Sequence, residues 1–346
     1  MGSSSRFLFA NGTVYHSPDI PPVANFLQSH SGAYTTTRTH CNGQHILFWE
    51  RHLKRLADSV KILSTSSPQL FFSTPTRRRS PGDWDWDYYY SGVGSVVNES
   101  VNEVLSLALR ERRDGGEELA ITALVSGDGG RWGEGSVVDA LDVRVHVDSY
   151  APPVFGAKGK GASVAVVGPG RDVAQAKYSD WAWMRKPLEK LRPPLVTEML
   201  LSNDGDRLLE GSVTNFFVVC SREKNNGYED AYPFELQTAP VSDGVLPGVI
   251  RQLVIEVCKS KGIPLREVAP SWSECKYWQE AFITSSLRIV QHVEKIQVPS
   301  AWESLKIKSP RDIKWDGKQF ADGPGMVTSL IQNEIMEKAG QEVYSS

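Results

Sequence analysis

Lys177 closes the short, mostly apolar run Val173-Ala-Gln-Ala176 and precedes the Trp-rich Tyr178-Ser-Asp-Trp-Ala-Trp183. An amine in a partly dry pocket loses proton affinity and becomes a nucleophile toward carbonyls. A solvated surface lysine is the commoner state, and Lys158, Lys160, Lys186 and Lys190 fit that description. Glu210 opens Glu210-Gly-Ser-Val-Thr-Asn215, directly before the apolar run Phe216–Val219. A carboxylate at the mouth of a buried strand is costly to desolvate unless a cation meets it. The same residue would be ordinary as a solvated glutamate at a β-bulge. Asp243-Gly-Val-Leu-Pro-Gly-Val-Ile-Arg251 is a turn opening a helix near Gly248. Free N–H groups at a helix start bind an anion without any side chain, although an ordinary helix junction has the same pattern. Thr284-Ser-Ser286 sets hydroxyls between two strand-like runs, a common arrangement in turns.

Taken together, these stretches supply an amine for a Schiff base, a carboxylate for a ring nitrogen and a cup for a phosphate. Those are the requirements of pyridoxal phosphate. Competing chemistries lack their signatures. Gly127-Asp-Gly-Gly130 has no P-loop Lys-Ser/Thr ending, the seven histidines form no HxxxH pair, and there is no GxSxG elbow. No metal is expected.

The elements that must position these residues follow from periodicity. Residues 6–20 read as a hairpin turning at Asn11-Gly12, and Ser31–Thr39 as a β-branched strand. After a turn at Asn42-Gly43, residues 45–49 read as a strand. Apolar residues at 53, 56, 57, 60 and 63 predict a helix over 51–63. Residues 66–92 break the pattern. Basic Thr76–Gly82 is followed by Asp83-Trp-Asp-Trp-Asp-Tyr-Tyr-Tyr90, which reads as an inserted surface loop. Its aromatics alternate with aspartates, which repel phosphate, so it is not a nucleic-acid platform. A helix over 97–113 and strands over 119–125 and 141–147 come next, the strands flanking the loop 126–133. The Pro-rich stretch 149–156 reads as a linker between a domain at 1–148 and another at 157–346. The second half reads as a strand at 162–167, a helix at 185–191, strands at 196–201 and 207–219, a helix at 248–261, a strand–turn–strand at 281–290 and a helix at 327–338. Strands followed by helices predict an α+β protein.

The bulk numbers agree. The 346 residues suffice for two domains, and 40% hydrophobic with 23% charged residues reads as globular. A net charge of −3 gives no electrostatic reason to expect nucleic acid or an anionic membrane. No apolar run approaches the about 20 residues needed to span a bilayer. Scattered Cys41, Cys220, Cys258 and Cys275 fit a reducing compartment. Arg6 stands where a myristoylation pattern wants Ser or Thr, and no apolar leader follows it. A cytoplasmic protein is the expectation.

From about residue 6 to 295 the ordered motifs resemble the class IV (fold-type IV) pyridoxal-phosphate aminotransferases. That family includes branched-chain and D-amino acid aminotransferases and aminodeoxychorismate lyases. Gly32-Ala-Tyr-Thr-Thr-Thr-Arg38 with Asn42-Gly43 resembles the family's first substrate-side strand, its wording nearest the lyase branch. His52-Leu-Lys-Arg-Leu56 resembles the segment whose arginine clamps the cofactor phosphate, which points to Arg55. Lys177 precedes Glu210 by 33 residues, a separation like that of the family's Schiff-base lysine and ring-nitrogen glutamate. Glu210–Asn215 is close to the family signature. Leu246–Arg251 resembles the phosphate cup, and Thr284–Ser286 the second phosphate and substrate loop. Three positions depart from the pattern. Asp180 stands where the family often has Asn, Ile250 where many members have Thr before the arginine of the cup, and residues 178–184 are unusually aromatic. Arg131 resembles the arginine that D-amino acid aminotransferases aim at the substrate carboxylate, but Gly133 stands where its histidine partner would be.

The resemblance implies a two-domain α+β fold, with a small α/β N-terminal domain, a larger barrel-like C-terminal domain, pyridoxal 5'-phosphate between them, and a homodimer. It implies transfer of an amino group between an amino acid and a 2-oxo acid through a Lys177 aldimine, with Lys177 then moving the Cα proton. Glu210 would keep the ring nitrogen protonated, and Asn215 would also bind the cofactor. Arg55, the N–H groups of Val249 and Ile250, and Ser285 would hold the phosphate. Tyr34, Arg38, Arg131 and Ser286 would orient the substrate. A lyase on the same scaffold would use the same lysine, and a catalytically idle binding protein is the remaining alternative.

Overall fold

The computed structural model describes residues 6–71, 86–112, 117–127, 141–222, 232–307 and 310–345. Arg131, Gly133 and most of the expected 66–92 insertion lie outside them. The chain forms two compact units. The first comprises Met1–Pro152 with Ala176–Met184 and Glu342–Ser346, and the second Pro153–Gln175 with Arg185–Gln341. Sequence alone assigned the whole of 157–346 to the second domain, whereas the lysine segment 176–184 and the last residues belong to the first unit.

In the first unit, β1 (Arg6–Ala10), β2 (Thr13–Ser17), β3 (Ala33–His40), β4 (His45–Leu47), β5 (Glu118–Gly127), β6 (Leu141–Tyr150) and β15 (Val343–Ser345) make a seven-stranded sheet in the order β15-β4-β3-β5-β6-β1-β2. Each neighbouring pair is antiparallel. Helices α1 (Val23–Ser29), α2 (Trp49–Ser66), α3 (Trp86–Glu111) and the single turn α4 (Trp181–Met184) belong to the same unit. α2 packs on β3, and α3 on β6 and β1. The predicted helical stripe of α2 is borne out: Leu53, Leu56, Ala57, Val60 and Leu63 are all buried. His52, Arg55 and Ser59 are buried on the same helix, which no apolar pattern announces. α3 begins at Trp86, so the aromatic stretch expected to be loop is in part the first turns of a helix.

In the second unit, β7 (Ala162–Gly168), β8 (Glu198–Leu201), β9 (Asn215–Ser221), β10 (Phe234–Thr238), β11 (Leu265–Glu267), β12 (Trp278–Ser285) and β13 (Ile289–Pro299) follow the order β11-β10-β9-β12-β13-β7-β8, with β14 (Trp315–Gln319) pairing off β13. β7 pairs in parallel with both β13 and β8, and β10 in parallel with β11. The unit's α-helices among the described residues are α5 (Lys186–Glu189), α6 (Val249–Lys261), α7 (Ser304–Ile307) and α8 (Met326–Gln341). Its core gathers Val164, Val166, Leu200, Phe216, Val218, Ile283 and Ile296, the inward faces of neighbouring strands. Two predicted elements are corrected. The helix expected over 185–191 is a single short turn, 186–189, with Pro187 near its start. The strand over 207–219 begins only at Asn215. Residues 207–214 make isolated bridges, Leu200↔Gly211 and Glu210↔Asn215 among them.

Candidate functional site

The first unit gathers Lys177, Tyr34, Arg55 and three residues that the sequence did not single out as site residues: Thr35, His52 and Ser59. The lysine segment is stitched to the start of β3. The Tyr34 N–H donates to the Lys177 carbonyl at 2.9 Å, and the Ser179 N–H to the Gly32 carbonyl at 3.0 Å. The Gly32 N–H in turn donates to Ser179 Oγ at 2.9 Å. The Lys177 N–H donates to Ser59 Oγ at 3.0 Å, and Ser59 donates to the Arg55 carbonyl at 2.8 Å. Lys177 is half-buried, its Nζ 4.7 Å from the centre of the Tyr34 ring. Asp180 has a local explanation as well. It accepts from Ser31 Oγ at 2.6 Å and from the Tyr178 hydroxyl, two donors that suit a carboxylate. Burial first, and then Asp180, raise the Tyr178 phenol well above its ordinary range.

Arg55 is 7% exposed and His52 fully buried. Arg55 Nη2 donates to Thr35 Oγ at 2.8 Å, and Thr35 Oγ lies 2.8 Å from His52 Nδ1. With its oxygen accepting from arginine, the Thr35 hydroxyl has its proton for His52 Nδ1, which leaves the histidine proton on Nε2. Burial, then Arg55, then Lys177 push His52 well below its ordinary pKa, so the ring is neutral. Burial also lowers Arg55 to about 10. His52 Nε2 and Arg55 Nε are both buried without a hydrogen-bond partner among the described residues. Two unanswered donors, one on a cation, are costly to bury unless an anion meets them. A phosphate fits that requirement. Arg38 is on the Tyr34 face of β3 but four residues, roughly 13 Å, further along. Its Nη1 donates to the Thr39 carbonyl at 3.0 Å.

The second unit gathers Glu210, Asn215, Val249, Ile250 and Ser285, together with Arg171, which the sequence reading missed. Glu210 is 2% exposed. Its Oε1 accepts from Arg171 Nε at 2.9 Å and Nη2 at 2.6 Å. Its Oε2 accepts from the Leu246 N–H at 2.9 Å and from Asn215 Nδ2 at 3.3 Å. Asn215 Nδ2 also donates to the Leu246 carbonyl at 2.9 Å. The turn before α6 is therefore tied to Glu210 directly and through Asn215. Close packing sets two glycines here. A Cβ on Gly211 would lie 1.9 Å from Thr214 Oγ, and one on Gly248 would lie 2.1 Å from Asn215 Oδ1.

Gly248 caps α6 with no side-chain hydrogen bond, and its carbonyl takes the Gln252 N–H. The Val249 and Ile250 N–H groups precede the first intrahelical bond, as an anion site at a helix start requires. The Ile250 side chain is buried in α6, so this position brings only its N–H. Thr284 pairs with Asn215 across β12 and β9, which sets Ser285 at the neighbouring strand end. Ser285 Oγ accepts the Arg288 N–H at 3.3 Å. Ser286 is half-buried in the turn between β12 and β13. Thr284 Oγ is buried without a partner among the described residues. Among those residues there is also no cluster that could hold a metal ion, and no helix long and apolar enough to cross a membrane.

Sequence signals for the missed residues differ. His52 and Ser59 stand three before and four after Arg55, helical spacing that puts all three on one face. Arg171 has no comparable signal, since its partner is 39 residues away.

Comparison with known proteins gives a fold and a family. No curated protein matches the sequence. A branched-chain aminotransferase from Thermoproteus uzoniensis, solved with norvaline, is 19% identical with a TM-score of 0.61, over 98% of this chain and 96% of that one. An aminotransferase from Brucella abortus bound to PLP is 15% identical with a TM-score of 0.60, over 97% and 99%. A hypothetical aminotransferase from Mycobacterium tuberculosis in its PLP-bound form is 15% identical with a TM-score of 0.58, over 96% and 98%. At these identities the likeness is one of fold: a two-domain α+β fold. The sequence itself matches the family model for amino-transferase class IV over residues 32–296, most of the chain, and the protein belongs to that family.

Proposed function

We propose that the protein is a pyridoxal 5'-phosphate-dependent aminotransferase that moves an amino group between an amino acid and a 2-oxo acid, with Lys177 as its catalytic amine. The observation that carries this reading is the buried pair Arg55 and His52. Their two unanswered donors share a helix face with the Ser59 hydroxyl that seats the Lys177 backbone. A cation and a neutral N–H held dry beside the seat of a lysine suit a cofactor that joins a phosphate to an aldehyde.

Bound cofactor supplies the aldehyde and a ring that accepts the electron pair of the broken Cα–H bond. Lys177 Nζ is the nucleophile toward that aldehyde. Once freed, it carries the Cα proton of the amino acid. Glu210 holds a proton at the ring nitrogen, with Asn215 steadying both Glu210 and the turn before α6. Arg55 and His52 take phosphate oxygens, and the Val249 and Ile250 N–H groups and Ser285 serve the same group. Tyr34 limits the movement of the lysine amine. Arg38, Ser286 and Arg131 are candidates for the substrate carboxylate. A cytoplasmic homodimer is the working form proposed.

A spectral screen of the cofactor-loaded protein against L- and D-amino acids tests the reading. The expected result is loss of the long-wavelength band with one group of amino acids and its return with a 2-oxo acid. No spectral change with any amino acid would overturn it. Pyruvate released without an amino acceptor would assign the scaffold to a lyase instead.

A further inference from the structure

The proposal below rests on the function just stated and concerns the residue that holds its ring-nitrogen acceptor. An ionised carboxylate has about four acceptor positions. Four N–H groups already point at Glu210: Arg171 Nε and Nη2 on Oε1, and the Leu246 amide and Asn215 Nδ2 on Oε2. A ring N–H can therefore be accepted only in place of one of these. The contacts are unequal. Those from Arg171 are charge-assisted, and its Nη2 is further fixed by the Ala174 carbonyl at 3.1 Å. The neighbouring Gly170 N–H is tied to Asn203 Oδ1 at 3.0 Å. The Leu246 donor is backbone, in a turn held at 2.9 Å. Asn215 makes the longest contact, 3.3 Å, and the same nitrogen keeps its 2.9 Å bond to the Leu246 carbonyl if it yields.

We propose that Arg171 is a positioning residue for the ring nitrogen: it reserves Oε1 of Glu210, leaves Oε2 to the ring N–H in place of Asn215, and weakens the carboxylate's hold on the ring proton. The last part follows from charge. Of these four donors, the two from Arg171 are cationic, while Asn215 and the Leu246 amide are neutral. A guanidinium 2.6 Å from Oε1 shares the carboxylate's charge and repels a second cation. The ring therefore gives up its proton at lower pH than it would beside an unshared glutamate.

The test uses the full chain loaded with cofactor labelled with 15N in the ring, whose chemical shift reports protonation of that nitrogen. Wild type, Arg171→Gln and Arg171→Lys are titrated and their folding checked by circular dichroism. In the wild type the ring is expected to lose its proton within the pH range in which the protein stays folded. The midpoint should rise by about one pH unit or more in Arg171→Gln and stay near wild type in Arg171→Lys. A purely structural arginine would lower the melting temperature and leave the midpoint in place. Coincident midpoints in folded wild type and Arg171→Gln would overturn the proposal. So would a wild-type ring that stays protonated to the alkaline limit of folding, a result that needs no variant. Failure of the wild type to take up cofactor at all would instead sink the function on which the proposal rests.

Discussion

Arg55 and His52 pose an electrostatic problem inside the first unit, a cation and a polar ring buried on one turn of α2. The family likeness singled out Arg55 in the sequence, and Lys177 and Glu210 with it. The neutral state of His52 was not legible, because it depends first on the burial that the fold imposes and then on Arg55 and Lys177. Arg171 stayed hidden for a similar reason: a loop arginine acquires meaning only once the fold brings it to Glu210. His52 leads to a pH prediction. Its folded pKa lies below the unfolded value, so its contribution to stability is present above the unfolded value and is lost as pH falls, when the unfolded chain takes up a proton that the buried ring refuses. His146, also lowered by burial, adds to the same trend. The expected outcome is that wild type loses melting temperature between neutral pH and about pH 5, and that His52→Gln loses less. Parallel decline in the two proteins would show that His52 does not refuse the proton.

At the scale of elements, helices were read well and polar turns poorly. The stripe at 53, 56, 57, 60 and 63 marked α2, although the helix runs on to Ser66 through residues that carry no apolar stripe. The strand predicted over 207–219 shrank to β9. The residues from Glu210 to Thr214 fold back on themselves to make hydrogen bonds that a strand cannot, the Gly211 N–H donating to the Thr214 carbonyl at 2.8 Å. Periodicity has no term for such a turn. The two glycines of this region act through space and not through backbone freedom. Gly248 has φ −64° and ψ 141°, open to any residue, yet its missing Cβ makes room for the Asn215 amide. Gly248→Ala is therefore expected to push Asn215 from its bonds, costing about 1–3 kcal/mol as overpacking does, read as a lowered denaturation midpoint together with weaker cofactor uptake. Wild-type values on both would mean that the turn has more slack than its contacts indicate.

For the whole molecule, the α+β class was within reach of the sequence, since runs of strands are followed by helices, and the Pro-rich stretch 149–156 was read as a linker. The return of 176–184 and 342–346 to the first unit was not within reach. Those segments join by edge pairing, Tyr178 to Ala33 and β15 to β4, and pairing partners far apart in sequence leave no local pattern. The placement matters, because it seats Lys177 on the same face as Arg55 and Ser59. One measurement bears on that seat most directly. The protein is loaded with pyridoxal phosphate, reduced with borohydride, digested and mapped by mass spectrometry. The account predicts that the phosphopyridoxyl group is fixed on Lys177 and that Lys177→Ala retains none. Modification of Lys158, Lys160, Lys186 or Lys190 in its place, or a reducible adduct that survives in Lys177→Ala, would contradict it.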